Sequence, residues 1–573
     1  MPLDEHLPLL EERASIAASP HVRLPMKVVY RVASAICENK NTLSPSHVAA
    51  TGVCLSIFGV GLCFFPAGFV RTAWQAINFA ALYLLYLSFR YMARDFLSFQ
   101  WDVLLLEAGL LTALAAPCAS PTSPAAAGIS LLSLRLLAFK LFFCSGICKF
   151  ASGDPKWSSL KALYYHYWTQ PLPNCCSRFL QYSHCRRLQT LFVLLVEVGA
   201  PLLMLFGRSG RVCAFCGFLS LLLGIYVSGN YGFFTPLAAV VCLSVLDDSL
   251  LWQGDTSASL IKRATSNIAA AVLGAYALAI YMLYCLTSVA LMLRVWQRPA
   301  LEPPALCGRL YGELAPLHAC NVYGLFATVT TSRLEVVIEE LHTVETQTGP
   351  GLPPALVDIW IELSFFFKPG DVNRQPAWLW MGHMPRVDWR LWFIPLRLGR
   401  LLHSALREGS PAAFCTPGVA LTQQQQVQQL QQQLQHLQQQ QQTGRTAAAA
   451  AAAPVAPDQI FPSWWLTLLS RIACRQPDVV RLLGPQKHLD LLHAPSPRGM
   501  RVSLFDYRLR PPAGAPLAAA FFPEGIPPLT LEQHKELEVE LQQWEVGTWW
   551  MRRRHRVIDL LSLRPSSASS SLS

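Results

Sequence analysis

Residues 101–111, WDVLLLEAGLL, open the stretch that decides the fold of this chain. A second apolar run, LRLLAFKLFFCSGICKF, follows at 134–150. It is succeeded at 152–174 by a loop of aromatic residues and turn formers, SGDPKWSSLKALYYHYWTQPLPN. Long apolar runs of this kind are typical of helices that lie within a membrane. The stretch therefore predicts two neighbouring membrane helices followed by a structured loop.

Both apolar runs carry charged residues. The first contains Asp102 and Glu107, and the second contains Arg135 and Lys140. Charges are expensive in hydrocarbon, so they tend to face the interior of a helical bundle and pair. We therefore predict that the two helices pack together and that Asp102 or Glu107 pairs with Arg135 or Lys140. Alternatively, some of these charges lie near helix ends and extend toward the interface.

The composition agrees with a membrane protein. Of 573 residues, 52% are hydrophobic and only 14% are charged, whereas charged residues make up about 25% of an ordinary soluble protein. The net charge of +11 comes from 46 basic and 35 acidic residues. The basic residues are scattered among loops and do not form a stripe with interleaved aromatic residues, so the partners we predict include membrane lipids and exclude nucleic acid.

The N-terminal half divides into a polar segment and a helical domain. Residues 1–45 are polar, with no apolar core and cleavage site of a signal peptide, so the first membrane helix is expected to direct insertion. We predict a transmembrane domain of six to eight helices at 46–294. The runs that define it are Val48–Val70, Thr72–Phe89, Val103–Pro117, Leu131–Phe150, Leu191–Phe206, Val212–Val227, Phe233–Leu246 and Asn267–Leu293.

The pattern changes after residue 294 to short alternating runs, which are typical of half-buried strands. Such runs begin at Arg333, Asp358 and Met500. They predict a mainly β domain at 300–415 and 458–515, interrupted at 416–457 by a glutamine- and alanine-rich low-complexity insertion. Residues 516–573 are predicted to form a C-terminal helix and a serine-rich tail, with a basic-aromatic cluster at Trp549–Arg556 that suits a membrane surface. The predicted fold class is thus a polytopic α-helical membrane domain followed by a mainly β soluble domain.

The 17 cysteines lie mostly in apolar runs, where a thiol behaves as a small hydrophobic group. Cys213 and Cys216 have the spacing of a redox pair, and Cys144 and Cys148 are one helical turn apart. Neither pair lies beside a strand-to-helix pattern, which argues against a thioredoxin-like site. Four cysteines of the C-terminal half are candidates for disulfides if that half faces an oxidising lumen: Cys307, Cys320, Cys415 and Cys474.

Signs of catalysis are few. His166 lies among tyrosines and near Asp154, which is one way to build a general base. No nucleophile elbow, phosphate-binding loop or pair of histidines at metal spacing accompanies it. We therefore favour a structural hydrogen-bonding role for His166 and predict no catalytic, cofactor-binding or metal-binding residues.

Several motifs resemble the lipase maturation factor family, whose members are polytopic proteins of the endoplasmic reticulum. The resemblance covers most of 90–405 and, weakly, 476–510. At position 168 the family usually has an acid where this chain has Trp168, and the linker Leu341–Leu356 replaces a short glycine-rich turn. The motifs are Trp101-Asp102 with Leu104-Leu105-Leu106-Glu107, Ser152-Gly153-Asp154-Pro155 with Trp157, Tyr165-His166-Tyr167, Thr169-Gln170-Pro171-Leu172-Pro173, Gly229-Asn230-Tyr231, Leu246-Asp247-Asp248, the hexapeptide starting at Asn321, the pentapeptide starting at Phe367 and the nonapeptide at Pro385–Phe393.

The resemblance implies a multi-pass protein of the endoplasmic reticulum membrane that assists folding, assembly and secretion of client proteins, lipases in the family, without being an enzyme. It marks one loop as the family-motif loop: Asp154, Trp157, His166, Thr169 and Gln170. An alternative follows from a distant similarity of the family's helical core to the vitamin K-dependent carboxylase. Such an enzyme needs a buried base, for which Lys149 or Lys140 is the candidate.

The nonapeptide at Pro385–Phe393 has two interpretations: a packed aromatic core with one ion pair, or a face that binds clients. Its candidate client-binding residues are Arg386, Asp388, Trp389 and Trp392. The resemblance also implies a cytosolic N-terminus and a lumenal C-terminal region. The loop Ala151–Leu188 has five basic residues and one acid, which by the positive-inside rule favours the cytosol, so its side of the membrane stays open.

Overall fold

A computed structural model describes residues 45–64, 69–119, 123–247, 268–295, 305–346, 355–380, 384–396, 462–484, 486, 491, 493–525, 527 and 530–558. Three of the predicted segments fall outside these residues: the polar segment 1–45 except for its last residue, the insertion at 416–457, and the serine-rich tail.

The first part of the chain is helical. In chain order its helices are α1 (Pro45–Leu62), α2 (Phe69–Ala93), α3 (Gln100–Ala115), α4 (Pro124–Ala151), α5 (Pro155–Ser158), α6 (Leu163–Thr169), α7 (Cys175–Gln181), α8 (Arg186–Leu194), a π-helix (Leu195–Gly199), α9 (Ala200–Leu203), α10 (Gly207–Ser228), α11 (Phe234–Leu243), α12 (Ile268–Val295) and α13 (Ala305–Leu314).

Four helical segments of the described chain are long and apolar enough to cross a membrane: Gln100–Cys118, Pro124–Ala151, Gly207–Ser228 and Ala269–Leu293. Two shorter apolar helical segments, Ala50–Leu62 and Phe234–Leu243, accompany them. The chain is therefore a polytopic helical membrane protein, as the apolar runs predicted. The number of six to eight membrane helices stays a prediction.

Local sequence explains where α4 begins and ends. Pro124 occupies its first turn, where the missing N–H of proline costs no intrahelical hydrogen bond. The helix stops after Ala151, and Gly153 follows with a φ of 68°. Glycine adopts this left-handed conformation without steric cost. The chain can then turn into the family-motif loop.

The second part contains helices and strands. These are β1 (Leu334–Thr346), β2 (Ala355–Glu362), α14 (386–396), α15 (Ser463–Ala473), α16 (Pro477–Val480), β3 (Gly499–Leu509), α17 (Leu531–Gln542), β4 (Glu545–Val546) and β5 (Trp550–Ile558). The described strands form one sheet in the order β2-β1-β3-β5-β4. β1 and β2 are antiparallel, with Glu339 opposite Glu362 and Thr346 opposite Ala355. The alternating runs therefore correctly predicted a sheet in the C-terminal part of the chain.

The cluster predicted to rest on a membrane surface is instead the strand β5. Trp550 and Met551 are fully buried, while the guanidiniums of Arg552 and Arg554 lie over the ring of Phe505. Arg552 is buried and paired with Glu545, whereas Arg554 is exposed, so a run of arginines is compatible with a packed strand when each charge is paired or reaches water.

The chain divides into two compact units whose boundaries differ from the predicted domains. The first comprises the described residues of Met1–Arg333, Ser364–Arg390 and Phe505–Arg554. The helical domain therefore includes two segments from the region predicted to be purely a β domain and tail. The second unit comprises the described residues of Leu334–Leu363, Leu391–Leu504 and His555–Ser573.

Within the second unit, adjacent acids on β1 are each bound by an arginine. Arg501 donates to both carboxylate oxygens of Glu339 at 2.8 and 2.9 Å, and Arg475 does the same to Glu340 at 2.7 and 2.8 Å. Since successive side chains of a strand point to opposite faces, one ion pair secures each face of β1.

Candidate functional site

Glu107 on α3 is fully buried and accepts five hydrogen bonds. Its Oε1 accepts from Lys140 Nζ and from the Tyr284 hydroxyl at 2.5 Å. Its Oε2 accepts from the backbone N–H of Asn321 at 2.9 Å, the Asn321 side-chain amide at 2.8 Å and the Tyr323 hydroxyl at 2.7 Å. We call these five residues the Glu107 centre. It joins α3, α4 and α12 to the segment after α13 inside the first unit.

Asp102 does not pair with Arg135 or Lys140 of α4. Arg386 of α14 donates to its two carboxylate oxygens at 2.8 and 3.0 Å, and the Tyr86 hydroxyl donates at 2.7 Å. Asp102 also accepts from the backbone N–H of Phe99 at 3.1 Å, which caps the start of α3. A two-pronged arginine–carboxylate pair is strong and geometrically specific. The ion pair predicted within Pro385–Phe393 is therefore replaced by one between Arg386 and α3.

Arg135 likewise has partners other than the predicted acids. It donates to the backbone carbonyls of Ser244 and Leu246 at 2.9 and 3.2 Å, and to Asp247 at 2.9 Å. These acceptors follow the end of α11, where the helix dipole favours a cation. Arg211 binds the second oxygen of Asp247 at 2.6 Å.

Lys149 is paired with Glu197, an acid that lies in the π-helix. The shortest distance between its Nζ and the carboxylate is 2.7 Å, and the ammonium lies 5.0 Å from the centre of the Trp157 ring. The π-helix precedes Pro201, which has no N–H to donate to the carbonyl of Glu197, and interruptions of this kind produce local widening. Helix widening is frequent at functional sites.

The end of α4 and the family-motif loop that follows it hold the segment Leu325–Val329. Lys149 Nζ donates to the carbonyl of Leu325 at 3.1 Å, and Trp157 Nε1 to that of Phe326 at 3.2 Å. The Ser152 hydroxyl donates to the carbonyl of Ala327 at 2.7 Å. Asp154 accepts the N–H of Val329 at 2.9 Å while capping α5 through the N–H of Lys156 at 3.0 Å. We call these contacts the loop clamp.

Thr169 and Gln170 stabilise the end of α6. The Thr169 hydroxyl donates to the carbonyl of Tyr165 within the helix at 2.9 Å. The Gln170 amide nitrogen donates to the carbonyls of Tyr167 and Ser228 at 3.1 and 2.6 Å. These two carbonyls fix which side-chain atom of Gln170 is the nitrogen. Its oxygen therefore accepts from the Tyr231 hydroxyl, at 2.9 Å.

His166 completes this chain of hydrogen bonds. Its Nε2 lies 3.2 Å from the Tyr231 hydroxyl oxygen, and its ring meets Phe326 edge-on at 4.6 Å. Burial, together with the nearby charge of Lys149, lowers the pKa of His166 from 6.5 to about 4. Because the Tyr231 proton is donated to Gln170, Nε2 of the neutral imidazole carries the proton and Nδ1 is an acceptor.

A cavity of about 240 Å³ lies beside these groups in the first unit. We call it the core cavity. Its polar wall contains Lys149, Glu197, His166 and Tyr231, and the rest of its lining is predominantly apolar: Leu141, Phe142, Phe192, Leu221, Leu222 and Phe326. Apolar cavities with a few polar groups are the usual form of small-molecule sites.

The nonapeptide Pro385–Phe393 is mostly internal. Trp389 is 4% exposed, packs against Trp101 at 4.8 Å and donates to the carbonyl of Asn230 at 3.2 Å. Asp388 accepts the backbone N–H groups of Phe367 and Lys368 at 2.9 and 2.8 Å, and burial raises its pKa. Trp392 is half-buried against Phe393. Trp389 is therefore part of the packed interior of the first unit, and the client-binding role of this nonapeptide stays a prediction.

The geometry does not suit Lys140 or Lys149 to act as a general base. Lys140 and Lys149 are each bonded to a carboxylate, whereas a general base needs a neutral, unoccupied amine. Within the described residues, no group of three or more histidine, cysteine or acidic side chains is arranged to hold a metal ion. Cys307, Cys320 and Cys474 are free thiols, and Cys415 lies outside the described residues.

Sequence reasoning missed several of the residues that build this site. Tyr284 and Tyr323 supply donors to Glu107, and Tyr231 links His166 to Gln170. The sequence shows Glu197 as an acid within an apolar run, but it does not indicate that Lys149 is its partner. Tyr231 and Tyr323 lie in motifs that resemble the family but suggest no role for them, and Tyr284 lies in an apolar helix, where a tyrosine is equally typical of an interfacial position.

Comparison with known proteins gives a consistent result. The family model of the lipase maturation factor transmembrane domain matches residues 30–253, and that of the lipase maturation factor C-terminal domain matches 319–404. No solved structure matches the chain.

Individual relatives carry the same names. The chain is 28% identical to lipase maturation factor 1 of Bos taurus over 375 residues, which are 61% of this chain and 62% of the relative. It is 27% identical to lipase maturation factor 2 of Xenopus tropicalis over 424 residues, 56% of this chain and 58% of the relative. Over 185 residues, 30% of this chain and 26% of the relative, it is 37% identical to lipase maturation factor 2 of Xenopus laevis. The chain thus spans about three fifths of the first two relatives.

Proposed function

Because this chain belongs to the lipase maturation factor family, we propose that it acts in the endoplasmic reticulum membrane and assists the folding, assembly and secretion of client proteins. The relatives' names point to lipases as the client class. In this proposal the buried charges are structural: they hold loops and later segments of the chain against the helical core. The membrane domain then serves as a scaffold for a surface that contacts the client.

The observation that carries the proposal is a pair of exposed tryptophans on a fixed backbone. Trp378 is 40% exposed and Trp380 is 76% exposed. Leu379 between them is only 5% exposed, and this alternation of exposed and buried residues places the two tryptophans on one side of the segment. Between them, the N–H of Leu379 donates to the side chain of Asn230 at 2.8 Å, and the Asn230 amide donates to the carbonyl of Ala377 at 2.8 Å.

Rigid presentation makes these tryptophans better client contacts than Trp389, the buried candidate within Pro385–Phe393. Tryptophan is enriched among the few interface residues that carry most of the binding energy. Holding the side chains in place before binding also reduces the entropy lost on association. We therefore assign first contact with the client to Trp378 and Trp380, in place of Trp389.

Substituting the more exposed tryptophan tests the proposal. We expect Trp380→Ala to weaken client binding about 10-fold or more, since loss of a dominant interface residue costs about 2 kcal/mol. The chain would be co-expressed with a secreted lipase. Active lipase in the medium would be measured relative to the amount of chain in the membrane, and the two proteins would be co-purified.

The matched control is Phe179→Ala, because Phe179 is 81% exposed and lies on α7. Equal lipase secretion with the two variants would overturn the assignment of Trp380. A fall in lipase that only tracks a lower amount of chain in the membrane would also overturn it. Trp380 would then be an aromatic anchor at the membrane interface.

A further inference from the structure

The core cavity has a polar end and an apolar end. Lys149, Glu197, His166 and Tyr231 lie at the polar end. Leu141 and Phe142 lie farther along α4, the helix that carries Lys149, and Leu221 and Leu222 lie on α10, which ends at Ser228 shortly before Tyr231. Eight residues separate Lys149 from Leu141, and a rise of 1.5 Å per residue makes this about 12 Å. The shape therefore suits an amphiphile whose apolar part extends along the helices.

The cavity reaches the surface of a membrane helix. Phe192 of α8 is 42% exposed, and Gly224 of α10 is exposed, although both line the cavity. α10 is one of the segments long and apolar enough to span the membrane. A Cβ atom placed on Gly224 would meet nothing within 4 Å, so the glycine leaves open space at this point. A hydrocarbon chain in the bilayer can enter here without crossing water.

The electrostatics of the polar end disfavour a charged headgroup. Lys149 and Glu197 are paired with each other at 2.7 Å, so an ionic group would meet no unpaired counter-charge among the lining residues. The neutral imidazole of His166 donates from Nε2 to Tyr231, and no described residue is bonded to Nδ1. Nδ1 is therefore an acceptor for an O–H group.

We propose that the core cavity binds a neutral lipid alcohol from the bilayer, with an acyl chain among Leu141, Phe142, Leu221 and Leu222 and the hydroxyl donating to His166. The volume agrees with a stretch of one acyl chain, the rest of the lipid remaining in the bilayer. An engineered apolar cavity of about 150 Å³ admits benzene, so about 240 Å³ holds a longer run of methylene groups. This site is separate from the proposed client surface at Trp378 and Trp380, and its test does not involve a client.

The test uses the full chain reconstituted in vesicles of phosphatidylcholine. The probe is a diacylglycerol with a photoreactive diazirine in one acyl chain, and labelled peptides are identified by mass spectrometry. We expect labels on cavity residues such as Phe142 and Leu221. Labels confined to the exposed face of α12, for example at Leu278, would overturn the proposal.

Two glycine substitutions provide a matched pair. Gly224→Phe fills the opening and is expected to reduce labelling of the cavity about 10-fold, whereas Gly274→Phe on α12 is expected to leave it unchanged. A Cβ at Gly274 also meets nothing within 4 Å. Undiminished cavity labelling in Gly224→Phe would overturn lateral entry. If Gly224→Phe does not accumulate, excess unlabelled diacylglycerol must suppress cavity labelling of the native chain, and failure to compete would overturn the site.

Headgroup recognition is tested with two further probes, the methyl ether of the same diacylglycerol and a phosphatidylcholine carrying the same diazirine chain. One net hydrogen bond corresponds to a preference of about 3- to 10-fold for the hydroxyl probe. His166→Phe preserves an aromatic ring beside Phe326 but removes the acceptor, so it is expected to retain labelling and lose the preference. An unchanged preference in His166→Phe, or equal cavity labelling by phosphatidylcholine, would overturn the assignment.

Discussion

Glu107 shows how a single carboxylate can be stable inside a membrane domain. Removing such a group from water is costly, and the cost is offset only when all its acceptor positions are used. Five donors, one of them the ammonium of Lys140, surround it. Because the donors come from α4, α12 and the segment after α13, while Glu107 belongs to α3, the Glu107 centre couples the positions of four parts of the first unit.

We expect Glu107→Leu to lower the free energy of unfolding by about 3–5 kcal/mol, because it leaves the charge of Lys140 buried and unpaired. The double variant Glu107→Leu with Lys140→Met should recover part of the loss. The matched control combines Glu107→Leu with Arg135→Leu, which removes a base that has other partners. Thermal unfolding of detergent-solubilised protein measures all three. Equal recovery by both double variants would contradict the pairing seen here.

Of the pairings that the sequence predicted, the structure contains the one between Glu107 and Lys140, whereas Asp102 and Arg135 have other partners. Asp102 and Glu107 are five residues apart, which places them about 140° apart around a helix. They cannot therefore both face α4. Glu107 meets Lys140, while the partner of Asp102, Arg386, is 284 positions away. No local pattern specifies a contact of that separation.

The loop clamp gives the family-motif loop a structural role. Asp154 uses one carboxylate oxygen to cap α5 and the other to bind Val329. Partial burial alone would raise the pKa of Asp154. The pKa is instead lowered, because backbone N–H groups and Lys156 stabilise the carboxylate. An ionised side chain with two acceptor oxygens is thus required at this position.

We expect Asp154→Ala to destabilise the loop by about 1 kcal/mol from the lost cap, and to free the backbone of Leu325–Val329. Hydrogen exchange of peptides covering 325–329 should become faster. Ser158→Ala, in the same loop, removes only a hydrogen bond to the carbonyl of Pro155 and serves as the control. Unaltered exchange at 325–329 in Asp154→Ala would mean that the clamp does not hold this segment.

The sequence predicted the strands in which charged and apolar residues alternate. It did not predict the strand in which several charged residues are consecutive. β1, β2 and β3 were visible as alternating runs. β5 was not, because its arginines read as a solvated or membrane-surface cluster. In the structure Arg552 is bonded to Glu545 at 2.6 Å and covers Phe505. A strand whose charges pack within the sheet cannot be recognised from periodicity alone.

The compact units do not follow the order of segments along the sequence, because the chain returns to the helical unit twice. Ser364–Arg390 and Phe505–Arg554 belong to the same compact unit as the membrane helices. The loop Ala151–Leu188 binds the later of these segments. Arg178 donates to the carbonyls of Pro511 and Thr548 at 2.8 and 3.1 Å, and Lys161 pairs with Glu524 at 2.5 Å.

These contacts bear on the side of the membrane that the loop occupies. Its five basic residues favour the cytosol when they are counted as free charges. Lys156, Lys161 and Arg178 are, however, bonded to Asp154, Glu524 and backbone carbonyls within the unit. We therefore expect the loop to lie on the same side as Phe505–Arg554, which is the lumen if the C-terminal region is lumenal.

Two labels on one preparation of microsomes test this arrangement. An Asn-x-Thr sequon engineered into the glutamine tract at 423–442 should be glycosylated, and endoglycosidase should reverse the shift in mobility. The same sequon within residues 1–45 should remain unmodified. Cys185, an exposed thiol of the loop, should react with an impermeant maleimide only after the membrane is opened, and the labelled peptide should be lost in Cys185→Ser. A glycosylated tract together with a Cys185 that reacts in sealed microsomes would place the loop and the insertion on opposite sides. It would exclude the contacts of Arg178 and Lys161, which require the loop and Phe505–Arg554 to share one side of the membrane.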